Sequence, residues 1–378
     1  MDAAVNWESD ESHLFVNPAR REIDSLSIEK LPQLPGHIWL ATSGTSARGD
    51  ELKLVALSKK AFLASAASVN QHLDATSADS WFVALPHFHV GGLSIAARAH
   101  LSGSRVEHWS GILQKWNPEQ FYRDLSRSNC SLLSLVPTQL WDLVNLQKRA
   151  PAFLRAAVVG GGALHADLYR RSRDLGWPVL PSYGLTECCS QVATAVLDSL
   201  RANGSPRLQI LSHLDARTDE NGRLSLRSES LLTGFAIGTA DRVRFTDPKI
   251  DGWFRTDDLA EICDRHLSFR GRGDDLVKIS GEIVSQLALQ NILERLIAEM
   301  EEPVEACVIS IPDERREHRI ALAIAAPDDS LGAAILEKFN REVLPHEKAR
   351  NCFLVPRIPR TELGKVKRDE LLRLVAQL

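Results

Sequence analysis

Short apolar runs alternate with amphipathic stretches over residues 37–200, and this alternation sets the predicted architecture. His37–Ala41 reads HIWLA and is a predicted strand, and Ser58 is a good N-cap for a helix from Lys59 to about Leu73. Strands that alternate with helices favour a mostly parallel sheet flanked by helices. Further buried strands are predicted at Trp81–Leu85, Ser131–Val136, Arg155–Val159 and Pro178–Leu180.

The pattern changes near residue 204. Gly222–Arg227 (GRLSLR) alternates apolar and polar side chains, and short strands with turn residues continue to Phe269, as in an antiparallel subdomain. Glycines separated by charges follow over 269–275, which is a good composition for a hinge. The remainder predicts helices and strands in an α+β pattern: Gln286–Met300, Val304–Ile311, Ile320–Ala325 and Leu331–Leu344.

The predicted fold class is therefore α/β. It comprises a large N-terminal domain of mostly parallel sheets flanked by helices, with an antiparallel subdomain, and a small mobile α+β C-terminal domain. We place the N-terminal domain at residues 1–272, the C-terminal domain at 273–378 and the hinge near Asp274. A chain of 378 residues is long enough for two or three domains with a sizeable core.

The composition is that of a soluble globular protein, and it argues against several classes of function. With 44% hydrophobic and 25% charged residues and a net charge of −4, the chain has no general attraction to nucleic acid or anionic membrane. No apolar segment approaches the roughly 20 residues of a membrane helix, and the acidic start does not resemble a signal peptide. Six scattered cysteines without metal-type spacing are expected to be reduced thiols, so we expect a cytoplasmic protein.

The stretch 176–194, GWPVLPSYGLTECCSQVAT, carries the most concentrated chemistry. After the predicted strand, its residue types suit a nucleotide: an aromatic face, a glycine that admits backbone, a hydroxyl for phosphate and a carboxylate for a hard cation. These residues are Tyr183, Gly184, Thr186 and Glu187, and a segment that could be helical follows. An ordinary strand-to-helix turn capped by Thr186 also explains the motif taken alone. Cys188 and Cys189 are interpreted as small wall-lining residues rather than nucleophiles.

A hydroxyl-rich loop follows the strand His37–Ala41. Its N–H and O–H groups could donate to phosphate oxygens, and it is not a Walker loop because no Gly-Lys-Ser/Thr follows. Lys53 comes later and could bring a point charge to the same phosphates. A flexible hairpin turn is the alternative. The loop residues are Thr42, Ser43, Gly44, Thr45 and Ser46.

Two other strand ends carry candidate groups. His87 and His89 flank Phe88 and could line a pocket for an aromatic acid, whereas a metal site would need a third ligand that is not evident. Three glycines, Gly160, Gly161 and Gly162, follow the predicted strand Arg155–Val159. Three successive glycines indicate backbone that comes close to a ligand's flat face or to a crossing helix.

Charged residues in the C-terminal half complete the candidate set. Asp257 and Asp258 form a carboxylate pair, which is usually a solvated surface feature but can also accept hydrogen bonds from both hydroxyls of a ribose. Lys365 follows a glycine in a basic loop that opens a last helix. The lysine is either part of a solvated helix start or a single cation presented to a negatively charged reaction centre.

Taken in order, these motifs resemble the adenylate-forming acyl-CoA synthetases, a superfamily that also includes luciferases and peptide-synthetase adenylation domains. The resemblance runs from about residue 37 to the C-terminus. Residues 42–46 are similar to the family's phosphate loop, residues 160–162 to its glycines beside adenine, and residues 182–187 to its Tyr-Gly-x-Thr-Glu region, which places Ser182 at the nucleotide. The resemblance implies that Tyr183 stacks near adenine, that Thr186 contacts phosphate and that Glu187 serves magnesium.

Four further positions match the family's pattern. Asp258 falls on the ribose-binding aspartate, Arg272 on the arginine that follows it, Asp274 on the hinge and Lys365 on the lysine used for adenylation. The implied reactants are ATP, Mg²⁺, CoA and a small carboxylic acid, which is first joined to AMP and then passed to CoA after the C-terminal domain rotates. No nucleic acid or membrane partner is implied, and a monomer and a homodimer are both compatible with the sequence.

One branch of the superfamily fits best. Residues 182–192 and LPHFHVGGLS (85–94) are similar to the ligases that activate o-succinylbenzoate for menaquinone synthesis. That acid has two carboxylates, and the one that is not activated needs a buried hydrogen-bond donor or cation. The alternatives are another acyl- or aryl-CoA ligase, a carrier-loading adenylation domain, or a nucleotide-binding relative with little catalysis. The candidate acid-binding residues are His89, Ser190, Gln191 and Thr194.

The sequence also departs from the family's pattern. The phosphate loop reads as longer than usual, with Lys53 in place of the usual lysine and Leu54 in place of the next glycine, and Asp257 occupies a usual glycine. About 40 residues precede the phosphate loop, so most of the family's N-terminal subdomain is expected to be missing. We therefore expect the short N-terminus to affect the acyl pocket rather than the adenylation centre.

Overall fold

The chain divides into two compact units. The computed structural model describes residues 5–18, 28–41, 52–202, 204–239, 242–279, 282–300, 304–313, 317–325, 329–361 and 364–378. The first unit comprises Met1–Glu220, Leu224–Thr256 and Glu261–Ser268. The second comprises Asn221–Arg223, Asp257–Ala260 and Phe269–Leu378. The boundary near residue 272 and the hinge at Asp274 stay predictions.

The elements follow in chain order. Up to residue 272 the strands are β1 (His13–Phe15), β2 (His37–Ala41), β3 (Leu52–Ser58), β4 (Ser80–Val83), β5 (Arg105–His108), β6 (Leu132–Leu135), β7 (Ala156–Val159), β8 (Val179–Leu185), β9 (Ser190–Ala195), β10 (Leu208–Ile210), β11 (Asp215–Thr218), β12 (Arg223–Arg227), β13 (Gly234–Thr239), β14 (Arg242–Thr246), β15 (Phe254–Cys263) and β16 (His266–Arg272). The helices of this region are α1 (Lys59–His72), α2 (Val90–Ser102), α3 (Pro118–Ser128), α4 (Pro137–Asn145) and α5 (Ala166–Asp174). The remaining elements are β17 (Leu276–Ile279), β18 (Glu282–Ser285), α6 (Gln286–Ala298), β19 (Glu305–Asp313), β20 (Glu317–Ala325), α7 (Asp329–Glu342), β21 (Asn351–Leu354) and α8 (Arg368–Val375).

The larger sheet has eleven strands in the order β11-β12-β15-β16-β10-β9-β8-β7-β6-β4-β5. Strands β4 to β8 pair in parallel, as predicted from the alternation of strands and helices. At β8 the pairing changes, because β9 runs antiparallel to it and β10 antiparallel to β9. The antiparallel strands predicted after residue 204 therefore mostly extend this sheet, and the α/β class is confirmed.

A second sheet of the first unit has five strands in the order β1-β2-β3-β13-β14. β1 runs parallel to β2, and the other neighbours are antiparallel. Ser58 caps α1 as predicted, since its side chain accepts a hydrogen bond from the N–H of Ala61. One local prediction was wrong: the segment after Glu187 is not a helix but strand β9, whose residues SQVATA are mostly buried and pair with β8 and β10.

The second unit has the predicted α+β pattern. Its sheet runs β18-β17-β20-β19, and β21 pairs with β20. One apolar cluster includes Leu293 of α6, Phe339 of α7 and Leu322 of the sheet. A separate cluster includes Ala321, Ala323 and Leu371 of α8. Because neighbouring side chains of β20 belong to different clusters, this strand is buried on both faces. Among the described segments of the whole chain, no helix has the length and apolarity needed to cross a bilayer.

An ion pair between the partly exposed Arg155 and the buried Asp79 connects the starts of the parallel strands. Arg155, just before β7, places Nε 2.7 Å from Oδ1 of Asp79 and Nη2 2.8 Å from Oδ2. Ser131, before β6, donates to Oδ1 of Asp79 at 2.7 Å, and Arg155 Nη1 donates to the carbonyl of Leu73 after α1 at 2.8 Å. Burial alone would raise the pKa of Asp79, but hydrogen bonds from Arg155, the Thr76 N–H and Ser131 lower it from 3.8 to about 2.

We expect Asp79→Asn to lower the free energy of unfolding by about 2 kcal/mol at pH 7, the value of a shift of roughly two pKa units. Because the folded pKa is depressed, this contribution is present above pH 3.8 and is lost as the pH falls toward 2. Urea unfolding at a series of pH values measures it, and the variant and wild type should converge in acid. Asp198→Asn is the control, because Asp198 and its partner Arg201 are 87% and 89% exposed. Equal losses in the two variants would contradict the prediction.

Candidate active site

The motif around Tyr183 lies on strand β8 rather than in a loop. Ser182 and Tyr183 pair with Thr194 and Ala193 of β9, and the register shifts between Tyr183 and Gly184. Gly184 is required at this irregularity, because a Cβ there would overlap the carbonyl oxygen of Ser190. The close approach of the two strands holds Tyr183 at a defined position next to the turn that follows.

A short turn presents Thr186 and Glu187. Residues Thr186–Cys188 form one 3-10 turn, and the carbonyl oxygen of Glu187 accepts a hydrogen bond from the N–H of Leu232 at 2.8 Å. Cys189 and Ser190 then adopt positive φ values of 52° and 102°. Ser65 of α1 donates to the carbonyl of Cys189 at 3.2 Å. These two external hydrogen bonds support a turn that side-chain-bearing residues adopt only with strain.

The two cysteines of the turn are protonated at neutral pH. Burial raises the pKa of Cys188 to about 12, with a smaller opposing effect from the hydroxyl of Ser230, and raises the pKa of Cys189 well above its usual value. A buried, protonated thiol is a poor nucleophile. This is consistent with their interpretation as wall residues.

The glycine stretch lies at the end of the neighbouring strand. Gly160 follows β7, and its N–H donates to the carbonyl of Leu135 at 3.2 Å. A Cβ on Gly160 would lie 2.9 Å from the carbonyl oxygen of Ser182, and Gly161 has φ +79°. The structure therefore brings Gly160 and Ser182 together. Gly160 is required by lack of space for a side chain, and Gly161 by its positive φ.

Four residues that the sequence indicated as site residues belong to one series of polar contacts. Ser182 Oγ and Thr194 Oγ1 are 2.8 Å apart, and Thr194 Oγ1 is 2.5 Å from the Gln191 amide. The hydrogen-bonding needs of the neighbours decide which way the Gln191 amide faces. In that orientation its nitrogen donates to Thr194 and its oxygen accepts from Arg98 at 3.2 Å and 3.3 Å. Ser190 Oγ also accepts from Arg98 Nη2, at 3.3 Å.

These polar contacts end at Arg98 of α2, a residue that was not among the candidates predicted from the sequence. Its side chain is 1% exposed, its other hydroxyl partner is Ser94 at 3.0 Å, and Nε has no hydrogen-bond partner. No carboxylate in the described part of the chain forms an ion pair with it. Burial lowers the pKa of Arg98 to about 9, so the guanidinium is still charged at pH 7. An arginine within the otherwise small and apolar helix VGGLSIAARAHLS was the available signal.

The remaining candidates of the first unit are placed as follows. His89 is the N-cap residue of α2, the helix that carries Arg98. Lys53 lies on β3, and its Nζ is 3.8 Å from the centroid of the Phe235 ring, which is a cation–π contact. The predicted phosphate loop, Thr42 to Ser46, lies outside the described residues. A cavity of about 340 Å³ lies between Ser68 of α1 and Gln209 of β10, and none of the described candidate residues lines it.

In the second unit the buried carboxylate is Asp258. Its side chain is 8% exposed and its Oδ1 lies 3.4 Å from Nε of Arg272, so the structure brings these two predicted residues together. The neighbouring Asp257 is exposed and pairs with Arg223 at 2.9 Å. The carboxylate pair is therefore divided between one buried and one solvated group.

Lys365 lies on a closed loop of the second unit. The N–H of Thr361 donates to the carbonyl of Lys365 at 2.7 Å, and the N–H of Lys365 donates to Thr361 Oγ1 at 3.1 Å. Gly364 supplies the required positive φ of 76°. Asp274, the predicted hinge residue, lies in a 3-10 turn at Gly273–Asp275.

These arrangements can be compared with known proteins. A family model described as AMP-binding enzyme matches residues 38–234, a little over half of the chain. The chain belongs to the AMP-binding enzyme family. The matched range contains β2, the glycine stretch and the β8–β9 motif, so the resemblance inferred from the motifs is confirmed.

Relatives of this AMP-binding chain carry more specific names. It is 24% identical over 380 residues to a 2-succinylbenzoate–CoA ligase from Enterococcus faecalis, an alignment that covers 96% of this chain and 75% of the relative. A second such ligase, from Bacillus licheniformis, is 26% identical over 367 residues, which is 94% of this chain and 72% of the relative.

The fold also matches a solved structure. The o-succinylbenzoate coenzyme A synthetase from Bacillus subtilis, in complex with ATP and magnesium ion, has a TM-score of 0.73 and 24% sequence identity. The match covers 89% of this chain and 69% of that structure. This similarity shows that the two proteins share a fold.

We expect Gly184→Ala to impair both stability and catalysis, because the added methyl group would force β9 away from β8 and move Tyr183 and Glu187. Thermal unfolding and acid-dependent AMP release measure the two effects. Gly162→Ala is the stability control, since its Cβ would meet only Pro137, at an ordinary 3.5 Å. A Gly184 variant that melts at the wild-type temperature would show that the strands need not approach so closely.

Proposed function

We propose that this AMP-binding protein is an acid–CoA ligase that converts 2-succinylbenzoate, ATP and CoA into 2-succinylbenzoyl-CoA, AMP and pyrophosphate, as in menaquinone biosynthesis. The names of the relatives and their coverage of nearly the whole chain support the reaction class. The observation that carries the choice of acid is the buried Arg98.

The environment of Arg98 suits a second carboxylate. Burying a cation without an anionic partner costs free energy, and residues with strongly shifted pKa values cluster at functional sites. Arg98 contacts Ser190 and Gln191, which the sequence indicates as acid-binding residues. A dicarboxylic acid leaves one carboxylate unactivated, and that group would neutralise Arg98. A monocarboxylic fatty acid would leave it unpaired.

The activated carboxylate attacks the α-phosphorus of ATP, and pyrophosphate leaves. The chain's own residues hold the reactants in line and stabilise the developing charge. We assign Thr186 and Ser182 to the phosphates, Tyr183, Gly184 and the residues Gly160–Gly162 to the adenine side, and Asp258 with Arg272 to the ribose. Lys365 approaches the reaction centre in this step.

Magnesium fits the available residues. Among the described residues no group of three or more His, Cys, Asp or Glu side chains could hold a metal, so a protein cage is not present there. Mg²⁺ in nucleotide enzymes commonly takes one or two carboxylates and completes its shell with phosphates and water. Glu187 is half-buried next to Thr186 and would supply that carboxylate, and the bound ion would neutralise phosphate charge.

The second step transfers the acyl group to CoA. The thiol sulfur attacks the carbonyl carbon of the adenylate, and AMP leaves with the bonding electrons. In our proposal the part of the chain that follows Asp274 rotates between the steps and withdraws Lys365, while Asp258 and Arg272 stay at the nucleotide. The short turn at Gly273–Asp275 is suited to such a motion.

We expect Arg98→Gln to lower kcat/KM for 2-succinylbenzoate by roughly 10- to 100-fold, the scale of one lost hydrogen-bonded charge. With benzoate, which has no second carboxylate, the rate should change little. Because the variant removes a buried cation that has no ion-pair partner in the described segments, its ligand-free stability should equal or exceed that of the wild type. Acid-dependent AMP release and thermal unfolding measure the two effects.

Arg105→Gln is the control, since Arg105 lies on β5 with a side chain that is 56% exposed. Equal losses with both acids would assign Arg98 a structural role and remove the main argument for a dicarboxylate. A wild-type preference for benzoate or hexanoate over 2-succinylbenzoate would point instead to another aryl- or acyl-CoA ligase.

We expect Lys365→Ala to slow adenylate formation by roughly 10²- to 10³-fold, because it removes one strong electrostatic stabiliser. Given synthetic acyl-AMP and CoA, the same variant should form thioester at near the wild-type rate. The two half-reactions are measured separately, by pyrophosphate release and by thioester formation. Lys367→Ala is the matched control, because Lys367 lies two residues away and forms an exposed pair with Glu370. A comparable loss in both half-reactions would contradict the rotation.

A further inference from the structure

The N-terminal strand β1 is anchored firmly to the first unit. Lys59 is 3% exposed, and its ammonium donates to the carbonyls of Asn6 and Ser9 at 2.8 Å and 3.0 Å. Trp7 is buried with its ring centroid 5.6 Å from that of Phe62 on α1. The N–H of His37 donates to Ser12 Oγ at 3.0 Å. These contacts fix the chain directly before β1, so β1 is held independently of any ligand.

A row of aromatic rings runs from β1 to residues 87–89, where the sequence indicates a candidate pocket for an aromatic acid. The rings of His13 and Phe15 are stacked with centroids 5.8 Å apart, and Phe15 meets His87 edge-on at 5.4 Å. His87 is followed by Phe88 at 6.0 Å, and Phe88 by His89 at 4.7 Å. Phe15 also pairs with Leu40 of β2, one residue before the strand end from which the predicted phosphate loop leaves.

Most rings of this row are more exposed to solvent than the side chains of a hydrophobic core. Phe88 is buried, whereas His13, Phe15 and His87 are only half-buried. The ring nitrogen Nε2 of His13 is buried and has no hydrogen-bond partner in the described chain, which is costly in a row that serves packing alone. Burial lowers the pKa of both His13 and His87, so both rings are neutral at pH 7. A neutral aromatic surface suits an aryl group rather than a carboxylate.

We propose that Phe15 and His87 form the wall against which the aromatic ring of the acid packs, so that β1 helps to select aryl over alkyl acids. This rests on the proposed ligase function. Arg98 and this wall then have separate tasks: Arg98 recognises the second carboxylate, and the aromatic row recognises the ring that separates the two carboxylates.

The test compares two dicarboxylic acids that differ in the ring. Phe15→Leu should lower kcat/KM for 2-succinylbenzoate by about tenfold, the scale of one lost aromatic contact, mainly through KM. With heptanedioate, which has no ring, the change should be under about twofold, and KM for ATP should stay at its wild-type value. Phe15→Tyr keeps the ring and should retain the preference.

Phe245→Leu is the matched control, because Phe245 lies in the same sheet and packs on Trp39 at 6.1 Å. Equal losses with both acids, or the same loss in the Phe245 variant, would overturn the proposal and leave the ligase function standing. A wild type that activates heptanedioate but not 2-succinylbenzoate would overturn the proposed function itself. Calorimetric titration of 2-succinylbenzoate gives the comparison without turnover, and equal affinities of wild type and Phe15→Leu, or no binding to the wild type, would overturn the role of Phe15.

Discussion

Strand β8 faces a parallel neighbour on one edge and an antiparallel neighbour on the other, and the candidate site depends on this change of direction. On the β7 edge, the glycine after that strand meets the carbonyl of Ser182. On the β9 edge, the backbone of Ser190 lies so close to Gly184 that no side chain could be accommodated there. The strand part of the candidate motif, Ser182 to Gly184, is therefore fixed from both sides, and such rigidity would suit in-line displacement.

The same region contains a buried charge, the guanidinium of Arg98. Arg98 is surrounded by hydroxyl and amide groups that accept hydrogen bonds but bring no negative charge. Folding thus places a cation that has no carboxylate partner among the described residues beside the strained turn at Cys189 and Ser190. Both features cost stability, and such costs are commonly tolerated where a protein needs them for function.

The sequence predicted the elements whose signals are local. The strand at His37–Ala41, the cap at Ser58 and the glycines of residues 160–162 each follow from a run of a few residues. The helix predicted after Glu187 was wrong because the pairing of β9 with β8 and β10 is a tertiary effect that overrides local propensity. Arg98 was missed because its contacts depend on how α2 packs, and the apolar sequence around it indicates burial without showing what the side chain touches.

The five-stranded sheet has a consequence for how the chain is made. Strand β3 lies between β2, its near neighbour in sequence, and β13, which begins at Gly234. During synthesis β3 can pair with β2 early, but its other edge stays open until β13, whose last residue is Thr239, has left the ribosome. An open edge with the apolar sequence LVAL is a template for wrong pairing. The nascent protein therefore carries an open apolar strand edge for almost half of its synthesis.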